Sequence, residues 1–360
     1  MHTDIAELSA RVHSQMAAFR LPVAEYDSTT KPKTIPFRSR QDKLTDRYQP
    51  PKLVVVGIRD FLAKELPPRE EILSPWMLTQ SLNMIYAWRG VGKTHVALGI
   101  AYAIASASEF LGWKASKPRG VLYIDGEMPA AALQQRLAKI VEANDKEPPE
   151  GMLRIITPDL QSNFAPVSNL ATLEGQSEID SVVTQDTELI IIDNLSSIVR
   201  GGGRENEAES WLMVQGWALA KRAQGKSVLF IHHAGKNGVQ RGTSKREDLL
   251  DTVICLKHSA DYDPTKGACF EIHFDKSRNQ FGEEVKSIEA RLTLDHNGKQ
   301  SWAIQSVADS TFDRVVALAK DGLRQSEIAI ELEINRSTAS RHWRKAMSEG
   351  LIPKEAGHGD

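Results

Sequence analysis

Seven short apolar runs constrain this chain most: 83–86, 121–124, 153–156, 189–192, 228–231, 252–256 and 270–274, separated by amphipathic stretches. A strand buried on one face alternates apolar and polar residues, whereas a strand buried on both faces reads as a nearly continuous apolar run. The pattern therefore predicts an α/β fold, a mostly parallel sheet flanked by helices, over about 54–308. Two later runs, 287–292 and 301–304, flank Asn297-Gly298, which predicts a hairpin.

The segments on either side read differently. Ile5, Leu8, Val12 and Met16 mark a short amphipathic helix. Up to residue 53 the chain then carries Pro32, Pro36, Pro50 and Pro51 among Lys31, Lys33, Arg38, Arg40, Lys43 and Arg47. Such a stretch predicts a linker or an arm that braces a neighbouring subunit, with direct DNA contact as the alternative. Residues 309–360 predict a small all-α domain of three helices, 311–320, 325–332 and a third capped by Asn335 and running to about 349.

Chemistry enters at Ala87-Trp88-Arg89-Gly90-Val91-Gly92-Lys93-Thr94, between the run 83–86 and a helix predicted over 94–105. Strand, glycine-containing loop and helix together form the context of a phosphate-binding loop. Gly90 and Gly92 let successive N–H groups face phosphate oxygens, and the helix N-terminus adds partial positive charge. Lys93 is expected to reach the β- and γ-phosphates of ATP, and the Thr94 hydroxyl to ligate Mg²⁺. Ala87 stands where such loops usually begin with glycine.

The run 189–192 ends in Asp193, where a magnesium ligand belongs: at the C-terminal tip of a buried strand. Hydrolysis also needs a carboxylate to deprotonate water. Asn194 follows Asp193, and an amide is no base, so the expected base lies on another strand tip. In Ile124-Asp125-Gly126-Glu127-Met128 that residue is Glu127; its alternative is a first-turn glutamate favoured by the helix dipole.

On these residues the chain resembles the RecA/DnaB-like superfamily, and within it the RepA-type plasmid replicative helicases and their AAA-ATPase relatives. The resemblance spans roughly 70–305. It implies an ATP- and Mg²⁺-dependent ATPase with a RecA-like core and Glu127 as catalytic base. It also implies a γ-phosphate sensor at the end of Ile231-His232-His233, for which His233 is the candidate. Asp275-Lys276-Ser277-Arg278-Asn279 resembles the Lys-x-Arg-Asn element whose two cations act on the neighbouring subunit's γ-phosphate. A site completed in trans requires a head-to-tail homo-oligomer, expected as a hexamer, with ATP at the subunit interfaces.

Two glycine-containing segments follow strand tips: 196–206, with Arg200, Gly201-Gly202-Gly203 and Arg204, and 234–244, with Lys236, Gly238 and Arg241. In RecA-like rings the corresponding loops track a single DNA strand through its backbone. The C-terminal helices resemble a helix-turn-helix, with Arg336, Ser337, Thr338 and Arg341 placed to reach base edges of a specific duplex. Protein docking is the alternative, and Ala339, Trp343 and Met347 read as the core face of the third helix.

Bulk properties bound this reading without deciding it. A net charge of −2 leaves any DNA contact to local basic patches. No apolar run reaches the ~18–20 residues of a membrane helix, and the start Met1-His2-Thr3-Asp4 lacks a secretory core. A soluble, cytoplasmic protein without membrane partners is expected, its Cys255 and Cys269 reduced and buried. Three readings stay open: a DNA helicase or translocase of a mobile element, a DNA-bound regulator or replication initiator, and a recombination-type filament former.

Overall fold

The structure is a computed structural model. It describes residues 53–352 except 163–165, 201–203, 235–246, 260–261, 264, 266 and 279, with backbone only at 204–208. The expected N-terminal helix and arm, Lys236, Arg241 and Gly201–Gly203 lie outside the described residues. The chain divides into two units, Met1–Glu65 and Leu66–Asp360. The described part of the first holds one short helix, α1 (Ile58–Leu62), whose residues are all exposed.

The second unit is built on a nine-stranded sheet. Its strands are β3 (Leu82–Ala87), β6 (Gly120–Asp125), β7 (Leu153–Ile156), β8 (Thr187–Asp193), β9 (Ser227–His233), β10 (Thr252–His258), β11 (Cys269–Ser277), β12 (Ile288–Leu294) and β13 (Gln300–Ser306). They lie in the order β7-β6-β8-β9-β3-β10-β11-β12-β13. From β7 to β10 every pairing is parallel, and from β10 to β13 every pairing is antiparallel. Two small antiparallel pairs, β1 (Glu71–Leu73) with β2 (Met77–Leu78) and β4 (Glu109–Phe110) with β5 (Trp113–Lys114), accompany it.

Alternate residues of one strand face opposite sides of a sheet, and the apolar runs divide accordingly. Ile85, Val121, Tyr123, Leu189, Ile191, Leu229 and Ile231 enter one core with Val96, Ile100 and Ile104 of α2 (Lys93–Ser106). Met84, Leu122, Ile124, Ile190, Ile192, Val228 and Phe230 enter the other with Trp211, Val214 and Trp217 of α6 (Arg204–Ala223). The remaining helices on the sheet are α3 (Ala130–Ala143), α4 (Leu173–Val182) and the single turn α5 (Leu195–Ile198). This is a RecA-like α/β core. β9 stands between the phosphate-loop strand β3 and the Asp193 strand β8, so their C-terminal tips open a crevice where open α/β sheets bind ligands.

Three expectations need correction. The run 270–274 does not continue the parallel sheet, because β11 turns back antiparallel on β10, and no residue of it beyond Ile272 is fully buried. The segment 196–206 is not one loop: α5 covers 195–198 and Arg204 already opens α6. Asn335 occupies the N-cap of the third C-terminal helix, but its side chain makes no capping bond.

The three C-terminal helices are α7 (Val307–Lys320), α8 (Gln325–Glu331) and α9 (Arg336–Ser348). The first begins four residues earlier than 311, where Ser306 Oγ accepts the Asp309 N–H at 3.1 Å. Phe312, Val315, Val316, Ile328, Trp343 and Ala346 form their own small core, and Ala339 is buried as expected. β12 and β13 form the hairpin expected at Asn297-Gly298, with Gly298 at φ +81°.

Candidate active site

The phosphate loop leaves β3 at Ala87 and enters α2 at Lys93. Gly90 and Gly92 have φ of +82° and +125°, which L side chains rarely adopt. A Cβ on Gly92 would also meet the Phe270 ring at 3.1 Å, so β11 as well as the backbone holds this position to glycine. Lys93 Nζ donates to the carbonyls of Ala87 at 3.0 Å and Trp88 at 2.9 Å. Burial lowers its pKa to about 8 against the opposing charges of Asp193 and Glu127.

Asp193 and Asp125 are register partners at the tips of β8 and β6. Tyr123 Oη donates to Asp193 Oδ2 at 2.5 Å, and the Thr94 hydroxyl bonds to the same carboxylate. Burial pushes the Asp193 pKa up, while those two bonds oppose the shift. Hard oxygens from one hydroxyl and one carboxylate suit Mg²⁺, which prefers few protein ligands and keeps several waters. Among the described residues no group of three or more His, Cys, Asp or Glu could hold a metal. Thr94 and Asp193 line the same cavity, and their hydroxyl and carboxylate are the groups that would hold such an ion. Asp125, 2% exposed, accepts the Met128 N–H at 2.9 Å. Burial, with the Asp193 charge adding to it, raises its pKa to about 7.

Glu127 follows the tip of β6 through Gly126, whose N–H donates to the Asp193 carbonyl at 2.8 Å. A Cβ on Gly126 would lie 2.3 Å from Ser197 Oγ and 2.7 Å from an Ile198 carbon, so only glycine lets this turn sit against α5. Glu127 Oε2 accepts from Asn194 Nδ2 at 2.6 Å and stands 3.8 Å from His233 Nε2. Burial, then the Lys93 charge, lowers the His233 pKa, which keeps the imidazole neutral at neutral pH. Asn194, whose amide cannot act as a base, is the hydrogen-bond partner of Glu127, the expected base.

Lys93, Thr94, Asp125, Glu127, Asp193, Asn194 and His233 line one cavity of about 680 Å³. His95, Arg136 and Tyr262 extend its lining. Burial, with Arg136 and Lys139, lowers the His95 pKa to about 4. Tyr262 stacks on His258, with ring centroids 3.9 Å apart and planes at 26°. None of these three residues belongs to a recognisable string, and no local signal marks them. Tyr123 and Asp125 were within reach of the strand-tip logic that located Asp193.

Residues 45–239, more than half of the chain, match the family model described as the AAA domain. The chain belongs to the AAA domain family. It is a P-loop ATPase with a RecA-like core. Among solved structures, a KaiC-like protein of the hyperthermophilic archaeon Pyrococcus horikoshii OT3 is similar at 16% identity, covering 65% of this chain and 93% of that one, with a TM-score of 0.44. No curated protein matches the sequence.

Other expected residues of this AAA-domain chain lie apart from the cavity lining. Lys276 stands within β11, not in a turn; its Nζ donates to the Glu247 carbonyl and, at 3.3 Å, to that of Asp248. Arg278, exposed, donates to the Asp248 carbonyl. Arg200 Nη2 donates to the Val167 carbonyl at 2.5 Å. On the first turns of α9, Arg336, Ser337 and Arg341 are exposed and Thr338 is half-buried. No helix among the described residues is long and apolar enough to cross a membrane.

Proposed function

We propose that this P-loop ATPase is a homo-oligomeric motor, a hexameric helicase or translocase of the RepA/DnaB-like type, that moves along single-stranded DNA in the replication of a mobile element. One observation carries the proposal. The β8 tip that presents Asp193-Asn194 to the nucleotide cavity is followed through α5 by Arg200 and Arg204, and the β9 tip that presents His233 is followed in the sequence by Lys236 and Arg241. Changes at the γ-phosphate thus have a short covalent route to groups suited to a DNA backbone. Lys276 and Arg278 enter this reading through their resemblance to the Lys-x-Arg-Asn element that acts on a neighbouring subunit's nucleotide.

In the hydrolytic step Lys93 exchanges the Ala87 and Trp88 carbonyls for phosphate oxygens. Glu127 accepts a proton from the attacking water, a role worth roughly 10²–10⁴-fold in rate. Neutral His233 donates a hydrogen bond toward the γ-phosphate. Thr94 and Asp193 are the residues that would hold Mg²⁺, which would supply positive charge toward the phosphates.

The test is ATP-driven displacement of streptavidin from single-stranded oligonucleotides biotinylated at either end. A translocase displaces it from one end only and hydrolyses ATP faster on DNA. Absence of both effects overturns the proposal.

A second reading, a DNA-bound regulator or initiator, is favoured by the C-terminal helices. A four-residue connection with Glu333 at φ +50° joins α8 to α9, whose first turns expose Arg336, Ser337 and Arg341. Selection from a random duplex pool separates the readings: enrichment of one sequence, without displacement of streptavidin, supports the regulator.

A further inference from the structure

A transferring phosphoryl group spreads its charge over three equatorial oxygens, and a single ammonium meets only part of that charge. Lys93 Nζ rests on the carbonyls of Ala87 at 3.0 Å and Trp88 at 2.9 Å, beside the start of the phosphate loop. A second cation of the same chain stands there. Arg89 follows Trp88 directly and lines the cavity together with Lys93, Glu127 and His233.

The anchorage of the loop fixes where Arg89 begins. Ala87 is the register partner of His233, and the Ala234 N–H donates to the Ala87 carbonyl at 2.8 Å. The first residues of the loop are thus tied to the tip of β9, where His233 Nε2 lies 3.8 Å from Glu127 Oε2. Burial is the main cause of the lowered pKa values of Lys93 and His233, and the Arg89 charge works in the same direction on both, as a cation near both side chains would.

The other candidate cations are placed differently. Among the described residues the Arg89 guanidinium has no hydrogen bond or ion pair. Lys276 and Arg278 are bonded to the carbonyls of Glu247 and Asp248 and are not part of the lining. Arg136, the other arginine of the lining, belongs to α3 and neighbours His95. A guanidinium is planar, always charged and carries five donors, which suits several oxygens of one phosphoryl group.

We propose that Arg89 is a catalytic residue of its own chain: its guanidinium meets the γ-phosphate oxygens beside Lys93 and His233 and stabilises the transferring group in cis. The assignment rests on the hydrolytic step with Glu127 as base, and not on the DNA-motor reading. Its role is distinct from that of Arg278, which would reach the nucleotide of a neighbouring subunit. Because the contact strengthens as the phosphoryl group leaves, Arg89 governs kcat rather than nucleotide affinity.

The experiment uses the full chain with Arg89→Ala and Arg89→Lys. Steady-state kcat and KM are measured, with affinities for ADP and for ADP–aluminium fluoride, whose fluoroaluminate stands in for the phosphoryl group in transfer. Arg89→Ala should lose about 10²-fold in kcat, the size of one lost donor to a developing anion. Its affinity for ADP–aluminium fluoride should fall by a similar factor, with ADP affinity unchanged. Arg89→Lys, a point charge without the planar fork, should recover only part of the loss. Mixing Arg89→Ala with Glu127→Gln should restore nothing, because no site then holds both residues. Full turnover by Arg89→Ala, or a loss of ADP affinity as large as the loss of kcat, overturns the assignment. Restored activity on mixing overturns its action in cis. If Glu127→Gln itself turns over normally, the base assignment falls, and Arg89 is still judged against wild type by kcat and fluoroaluminate binding.

Discussion

Two clusters of buried carboxylates occupy the same sheet and are partnered in opposite ways. On the antiparallel side, Glu289 of β12 accepts from Ser310 at 2.9 Å and from Arg314, with Arg291 at 3.7 Å and Gln305 at 3.3 Å. Arg314 also lies 3.7 Å from Glu271 of β11. On the parallel side, Asp193 and Asp125 have a tyrosine hydroxyl, a threonine hydroxyl and a backbone N–H, and their pKa values are raised by burial. The nearest cation, Lys93, is hydrogen-bonded to loop carbonyls. Buried acids that are matched by local guanidinium groups tie elements together, here α7 to β12. Buried acids short of local cations store unfavourable charge that a metal ion and its nucleotide can relieve, and such groups mark functional sites.

This contrast predicts what each cluster does when broken. The largest effect is expected at Arg278. If the under-matched site is completed by a neighbouring subunit, Arg278→Ala should lower ATPase kcat by about 10³-fold or more. Mixing it with Glu127→Gln, itself expected to lose at least ~10²-fold, should restore activity at interfaces that keep both residues. Failure to complement despite demonstrated subunit exchange would make Arg278 a residue of its own chain only.

The matched cluster should respond in stability. Arg314→Ala leaves Glu289 buried without its guanidinium, and removing one partner of a buried pair costs roughly 3–5 kcal/mol. Thermal denaturation should show the drop, while turnover per folded molecule well below the transition holds. A proportionate loss of kcat at unchanged stability would erase the distinction between the two clusters.

The smallest effect belongs to an exposed acid with cations to hand. Lys117 at 2.8 Å and Arg119 at 2.6 Å hold the Glu70 carboxyl at about 2. Its folded pKa lies below the ordinary 4.5, so its contribution is present above that pH and is lost as pH falls toward 2. Glu70→Gln should be slightly less stable than wild type at neutral pH and indistinguishable from it near pH 2. A stability gap that stays constant across this range would show that packing, not charge, is responsible.

How much of this was legible beforehand depends on how far apart the cooperating residues lie. Lys93 and Thr94 are adjacent and sit at the strand–helix junction their string implies. Asp193 was legible because an apolar run ending in a carboxylate names both the strand and its tip. Glu127 was expected by elimination, once Asn194 was set aside as a base, and that step gave no sign that the two side chains meet. A 2.6 Å bond between residues 127 and 194 depends on β6 and β8 being neighbours, which neither run declares.

The sequence by itself determined the α/β class, the strand–loop–helix of the phosphate-loop string, the acids at the strand tips and three C-terminal helices, because each is encoded in contiguous residues and a local period. Only the tertiary structure decided the order of the strands, the reversal at β11 and the gathering of Tyr123, Arg136, His233 and Tyr262 near one cavity. It also decided that Glu289 and Arg314 fasten the tail to the sheet. Those outcomes depend on which buried surfaces pack together. Packing is a property of pairs of segments distant in the chain, and no single stretch of sequence carries it.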